Sequence, residues 1–244
     1  MNGYLKKLTV ILLTTILATG ALTLTGCDGF PGLSGNAAKN LKGKRIIFLG
    51  SSVTYGAKSG GESFADFLAS QYGCESIKEA VSGTTLVDEN EKSYVSRLKK
   101  LNVEGKVDLF VCQLSTNDAS KKKPLGSVSE STNIEDFDTK TVAGAIEFII
   151  AYAKETYGCP VMFYTGPKYD NGLYGEMVEL LHEIAEKWDM SVIDLWNEPS
   201  FSDLNDEKRA RYMADSIHPT WDGYKELWTP FFAKKMGKVL AKSK

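Results

Sequence analysis

The sequence predicts an α/β protein, a doubly wound sandwich around one sheet, and two alternating patterns predict it. Four short apolar runs, Arg45 to Leu49, Val107 to Leu114, Pro160 to Thr165 and Ser191 to Leu195, have the length and continuity of strands buried on both faces. Between them apolar residues recur at three- or four-residue spacing, the period of a helix laid on a core. Strand and helix in turn are what a parallel sheet with helical crossovers requires. The composition agrees: 244 residues, 43% hydrophobic and 25% charged, are those of an ordinary globular protein able to bury one substantial core.

The first 26 residues are read as an export signal rather than fold. Lys6 and Lys7 precede an apolar run from Leu8 to about Leu22, and small residues lead to Cys27. An uncharged run of this length could also be a transmembrane anchor, but Leu24-Thr25-Gly26-Cys27 resembles the bacterial lipobox, whose cysteine sulfur receives a diacylglycerol and becomes the new N-terminus. The expectation is an exported protein, lipid-anchored through Cys27 to the outer face of a bacterial membrane. Gly29, Pro31, Gly32, Gly35 and Asn36 leave too few apolar residues to pack, so 27–41 reads as lipidated cysteine plus tether and 42–244 as the folded domain.

Within that domain the first strand ends at Gly50, and Phe64, Phe67 and Leu68 mark the first helix. A weak extra strand fits Ser76 to Ala80, and Tyr94, Leu98 and Leu101 mark a helix before the second apolar run. Ala119 to about Thr139, with Lys121-Lys122-Lys123 and a serine-rich stretch, reads as a solvated loop. Val142, Ile146, Ile149 and Ala153, then Met177, Leu180, Leu181, Ile184 and Trp188, carry the next two helices. The last helix spans Trp221 to Leu240, with Pro230 expected to kink or split it. Cys74, Cys112 and Cys159 match neither a zinc ribbon nor C-x-x-C; Cys112, inside an apolar run, reads as a core residue, and Cys74 and Cys159, each after Tyr-Gly, could pair only if their strands were neighbours, so no disulfide is expected.

A net charge of −2, becoming −4 once Lys6 and Lys7 are removed, gives no basic footprint for nucleic acid. With only two histidines, His182 and His218, a histidine-rich metal site is not expected, and no metal or cofactor is implied. Ligands of open α/β sheets sit beyond the carboxyl ends of the strands, so those loops are the place to look for chemistry. After the first strand, Gly50-Ser51-Ser52-Val53-Thr54-Tyr55-Gly56 leads into a helix, where a hydroxyl lies near backbone N–H donors. Gly56-Ala57-Lys58-Ser59 breaks the phosphate-loop pattern, and Thr54 stands where the G-x-S-x-G elbow needs its second glycine.

Near the other end, Asp215-Ser216-Ile217-His218 puts a carboxylate three residues before an imidazole. A serine hydroxyl is a poor nucleophile near neutral pH and needs such an oriented base. His182 falls about 100° round its helix from Leu181, on the solvent side, and His182-Glu183-Ile184-Ala185-Glu186 misses H-E-x-x-H by its last residue. It reads as a surface histidine. Two further loops, Ala80 to Thr85 and Leu114 to Asp118, offer the Gly83 N–H and the Asn117 amide as oxyanion donors. Each has a plainer reading, a turn at Gly83 and a cap at Asn117, and taken singly those readings are favoured.

Together and in this order, Gly50-Ser51-Ser52-Val53-Thr54, Gly83, Asn117 and Asp215 to His218 resemble the SGNH (GDSL-type) hydrolases over about residues 45 to 240. The resemblance implies a three-layer α/β/α, flavodoxin-like fold with a mostly parallel sheet over 42–244. It also implies Ser52 as nucleophile, His218 as base oriented by Asp215, and an oxyanion hole from the Ser52 and Gly83 N–H groups and the Asn117 amide. Ser51 occupies the aspartate position of the GDSL string and Ser115 the glycine position of G-x-N-D. Ser51 leaves a nucleophile one residue earlier as the alternative, against which stand the family register and Gly50. The family's strand order also separates the strands that follow Cys74 and Cys159.

The implied activity is carboxylic ester hydrolysis through an acyl-serine. For an exported enzyme of this family it is most naturally the O-deacetylation of plant or bacterial polysaccharide. Tyr55, Trp221 and Tyr224 would then stack on sugar rings, or else simply pack around the last helix. The rivals are a lysophospholipase or thioesterase, an acyltransferase that delivers the same acyl group to a sugar hydroxyl, and a noncatalytic carbohydrate-binding surface lipoprotein. The expected partners are an acylated small-molecule or polysaccharide substrate and the membrane holding Cys27.

Overall fold

The computed structural model describes residues 36–243, and in it five strands form one all-parallel sheet in the order β2-β1-β3-β4-β5. The elements run α1 (Asn36–Leu41), β1 (Arg45–Gly50), α2 (Ser52–Tyr55), α3 (Phe64–Tyr72), β2 (Glu75–Ala80), α4 (Tyr94–Lys100), β3 (Leu109–Gln113) and α5 (Thr116–Ser120). They continue through α6 (Val142–Tyr157), β4 (Val161–Tyr164), α7 (Gly172–Lys187), β5 (Ser191–Ile193), α8 (Pro199–Ser202), α9 (Asp206–Tyr212) and α10 (Thr229–Lys242). The proposed signal segment and Cys27 lie outside the described residues.

Strand periodicity divides the interior into two cores. Ile47, Leu49, Phe110, Cys112 and Phe163 face α4, α6 and α7, while Ile46, Phe48, Leu109, Val111 and Tyr164 face α1, α3 and α10. Successive strand residues point to opposite faces, so a run apolar at every position must be covered twice. Each buried aliphatic or aromatic side chain contributes about 1.5–3 kcal/mol.

The sequence expectation is corrected in several places. β2 is a full strand, in register with β1 from Arg45↔Glu75 to Gly50↔Ala80. Its signal is weak because it is the sheet edge, half-buried and carrying Lys78 and Glu79. The tether does not reach residue 41. Residues 36–41 form α1, with Leu41 fully buried and the Asn40 amide donating to the Gly237 carbonyl of α10 at 3.0 Å.

The Ala119 to Thr139 connection is largely exposed, as a solvated loop is, and it is also fastened to the domain. Lys187 Nζ donates to the Ser129 and Ser131 carbonyls at 2.5 and 2.6 Å, and the Ser129 N–H donates to buried Glu147 at 2.9 Å. Pro230 is accommodated by a π-helical turn over Gly223–Trp228, in which the Thr229 N–H reaches back to the Tyr224 carbonyl just before the proline whose missing N–H breaks the α-ladder. Cys74, Cys112 and Cys159 are buried free thiols, and β2 and β4, the strands after Cys74 and Cys159, are not neighbours. Among the described residues no helix is long and apolar enough to cross a membrane.

Candidate active site

The chain leaves β1 for β2 on one side and later returns to β3 on the other. The registers Gly50↔Ala80 and Leu49↔Cys112 set the loops after β1, β2 and β3 side by side. This is the switch point where α/β sheets open a crevice at their carboxyl ends.

The turn after β1 depends on Gly50, because a Cβ there would lie 1.7 Å from Thr54 Oγ1. Gln113 at the end of β3 then fixes the turn. Its Oε1 accepts from the Ser51 N–H at 2.9 Å, the Thr54 N–H at 3.3 Å and the Thr54 hydroxyl at 2.9 Å. Thr54 Oγ1 is also 2.7 Å from the Tyr164 hydroxyl. Ser51 is fully buried on this inner side, whereas Ser52 is part-exposed and its Oγ lies 2.8 Å from His218 Nε2. Replacing Gln113 by Leu removes the acceptor of buried donors, so it is expected to cost about 1–3 kcal/mol of stability in urea unfolding. A variant as stable as the parent would mean that the turn is held elsewhere.

His218 and Asp215 occupy a tight loop closed by the Ala214 N–H on the His218 carbonyl at 2.8 Å and by the Met213↔Pro219 bridge. Asp215 Oδ1 accepts the Ile217 and His218 N–H groups at 2.8 and 2.7 Å, and Oδ2 lies 2.9 Å from His218 Nδ1. With the carboxylate on Nδ1, that nitrogen carries the proton and Nε2 presents its lone pair to Ser52. Partial burial works to raise the Asp215 pKa, but the His218 and Ile217 N–H groups and the imidazole outweigh it and hold the carboxyl below its ordinary range.

The donor loops are tied together from behind. Gly83 sits at φ +80°, a left-handed backbone that favours glycine. The Asn117 amide donates to the Thr84 carbonyl at 3.0 Å, leaving its second hydrogen for a ligand. Ser115 donates to the same carbonyl at 3.3 Å and accepts the Asn117 N–H at 3.2 Å, so the serine in place of glycine braces the loop. Asp118 accepts the Leu86 and Val87 N–H groups at 2.8 and 3.1 Å, its own pKa pushed up by burial against their pull. Lys121 Nζ donates to the Gly83 carbonyl at 2.9 Å.

For Tyr224 the packing alternative holds and the sugar-stacking one does not. Tyr224 is fully buried, its hydroxyl donating to the Val53 carbonyl at 2.7 Å, and it offers no face to a ligand. Among the described residues Tyr55 and Trp221 are the exposed large hydrophobics, at 45% and 39%, each three residues beyond Ser52 or His218. His182 is exposed as expected, with Nε2 2.9 Å from Asp194 and away from Ser52's partners. Two buttresses escaped the sequence reading. Gln113 is a polar residue near the end of an apolar run, and Arg97 is the cation on the apolar face of α4, so both carried a signal. Among the described residues no group of three or more His, Cys, Asp or Glu is placed to hold a metal ion.

A family model described as GDSL-like Lipase/Acylhydrolase matches residues 48–226. Among solved structures, a protein from Lactobacillus plantarum is similar at TM-score 0.65 and 19% identity, covering 82% of this chain and 98% of that one. A possible lipase from Chitinophaga pinensis follows at 0.60 and 15%, with 81% and 98% covered. A member of the lipolytic protein G-D-S-L family from Veillonella parvula matches at 0.54 and 17%, with 82% and 99% covered. These likenesses bear on the fold. No curated protein matches the chain.

Proposed function

The chain belongs to the GDSL-like lipase/acylhydrolase family, and on that premise we propose that Ser52, His218 and Asp215 form the catalytic triad of an O-acetyl esterase acting on extracellular carbohydrate. The protein is a serine esterase of the SGNH type. The observation that carries the triad is the 2.8 Å contact between Ser52 Oγ and His218 Nε2, with Asp215 on the opposite ring nitrogen.

Ser52 Oγ attacks the ester carbonyl while Nε2 takes its proton. The Ser52 and Gly83 N–H groups and the Asn117 amide receive the oxyanion. Collapse expels the alcohol, which takes the proton from the imidazolium and leaves acyl-Ser52. Water, deprotonated by His218, attacks the acyl carbon, and its collapse frees the carboxylic acid and returns the proton to Ser52. No metal or cofactor enters these steps.

Support for a sugar on the leaving-group side comes from Tyr55 and Trp221. The Trp221 indole is held by its N–H on Glu62 at 2.8 Å and by Phe67 edge-on at 5.2 Å. An anchored flat ring beside a carboxylate suits a sugar, whose C–H face stacks while its hydroxyls donate. A lipid anchor at Cys27 completes the proposal and would hold the domain at the outer face of a bacterial membrane, facing polysaccharide.

Hydrolysis of p-nitrophenyl acetate, butyrate and octanoate by the fragment from Asp28 tests the reading. Acetate is expected to exceed octanoate by about tenfold or more in kcat/KM, on the order of a few lost or misfitted methylenes, and acetylated xylan is expected to be deacetylated. A preference for octanoate would replace the carbohydrate reading with a lysophospholipase or thioesterase. No labelling of Ser52 by a fluorophosphonate would replace it with the noncatalytic binder.

A further inference from the structure

We propose that Arg97 is a positioning residue which holds the oxyanion-binding loop in register with the nucleophile turn. The inference rests on the esterase reading of Ser52, Gly83 and Asn117. Arg97 lies on α4, only 7% exposed, with its guanidinium over the Tyr94 ring at 5.2 Å. Its donors go to the segments that carry the site. Nη2 donates to the Gly50 carbonyl at 2.8 Å, two residues before Ser52, and to the Thr84 hydroxyl at 3.3 Å, one residue after Gly83. Nη1 donates to the Glu79 carbonyl at 3.0 Å and its carboxylate at 2.8 Å, at the end of β2, and Nε donates to the Lys92 carbonyl at 2.9 Å.

All five guanidinium hydrogens are thereby used, and one planar group spans the end of β1, the end of β2 and the loop bearing Gly83. Thr84 is the meeting point, since its hydroxyl donates to the Val81 carbonyl at 2.6 Å and accepts from Arg97 at 3.3 Å, while its carbonyl accepts from Asn117 and Ser115. The backbone donors at Ser52 and Gly83 come from different loops, and an oxyanion hole works only when its donors converge on one oxygen at 2.7–3.1 Å. Arg97 reaches both loops from behind without touching substrate, so its effect passes through where those donors point.

A substrate pair reads this directly. In p-nitrophenyl thionoacetate sulfur replaces the carbonyl oxygen, and donors preset for oxygen grip the longer, weaker acceptor poorly. Arg97→Lys keeps a cation beside Glu79 but loses the fork. It is expected to lower kcat/KM for the acetate by about tenfold or more and for the thionoacetate by less than about threefold, part of the loss that removal of a whole donor gives. Asn117→Ala supplies the benchmark for that fall in the oxygen-to-sulfur ratio.

An equal loss on both substrates, or none on either, would overturn the proposal, because scaffold damage or a disturbed Ser52–His218 pair does not distinguish oxygen from sulfur. If Arg97→Lys does not fold, Thr84→Val carries the test, removing the hydroxyl that Arg97 holds at near-constant volume, with the same fall in ratio expected. Ser52→Ala run alongside separates the two readings. If the parent's turnover does not depend on Ser52, the esterase assignment fails first and takes this proposal with it.

Discussion

Ser52→Ala is expected to abolish turnover of p-nitrophenyl acetate, a loss of about 10⁶-fold in kcat, as when the nucleophile of a triad is removed, while Ser51→Ala keeps most of the parent activity. The two serines are adjacent in sequence but face opposite ways. Ser51 is fully buried, with its N–H on Gln113, and its hydroxyl has no path to a substrate. Ser52 Oγ meets the imidazole at 2.8 Å. Initial rates normalised to folded protein check this, with fluorophosphonate labelling as a second readout. An inactive Ser51→Ala beside an active Ser52→Ala would move the nucleophile one residue back.

Asp215→Asn is expected to lower kcat by about 10⁴-fold, because an amide in place of the carboxylate no longer fixes the Nδ1–H tautomer or stabilises the imidazolium. The same pair sets the pH profile. An imidazole must be neutral to act as base, so kcat/KM is expected to fall on the acid side. Asp215 is held below the ordinary carboxylate range, so it stays ionised through that fall and adds no second proton to it. A lowered carboxylate pKa also adds stability that is present above the unfolded value of about 3.9 and is lost as pH falls through the folded one. A pH–rate profile with an acid limb of unit slope is expected. A slope of two would mean that a carboxylate titrates with the imidazole.

Much of the fold was legible because it rests on local pattern. The apolar runs became β1, β3, β4 and β5 with ends shifted by a few residues, and the three- and four-residue spacings became α3, α4, α6 and α7. β2 was legible only faintly, since an edge strand with one neighbour need not be apolar. α1 was missed because a six-residue helix is stabilised by what it packs on, here α10 at the far end of the chain, and not by its own composition.

The sequence by itself determined the chemistry on offer. A serine turn after the first strand, an aspartate three residues before one histidine, a glycine and an asparagine at two further strand ends are residue identities, and identities fix which bonds can form. Tertiary structure alone decided which of those groups meet. It turned Ser52 rather than Ser51 toward His218 across 166 residues of chain, buried Tyr224 while leaving Trp221 exposed, and put Gln113 and Arg97 behind the loops they hold. The physical reason is that a hydrogen bond between distant residues depends on strand order and register, which the whole core sets at once, whereas periodicity reports only a residue's neighbours.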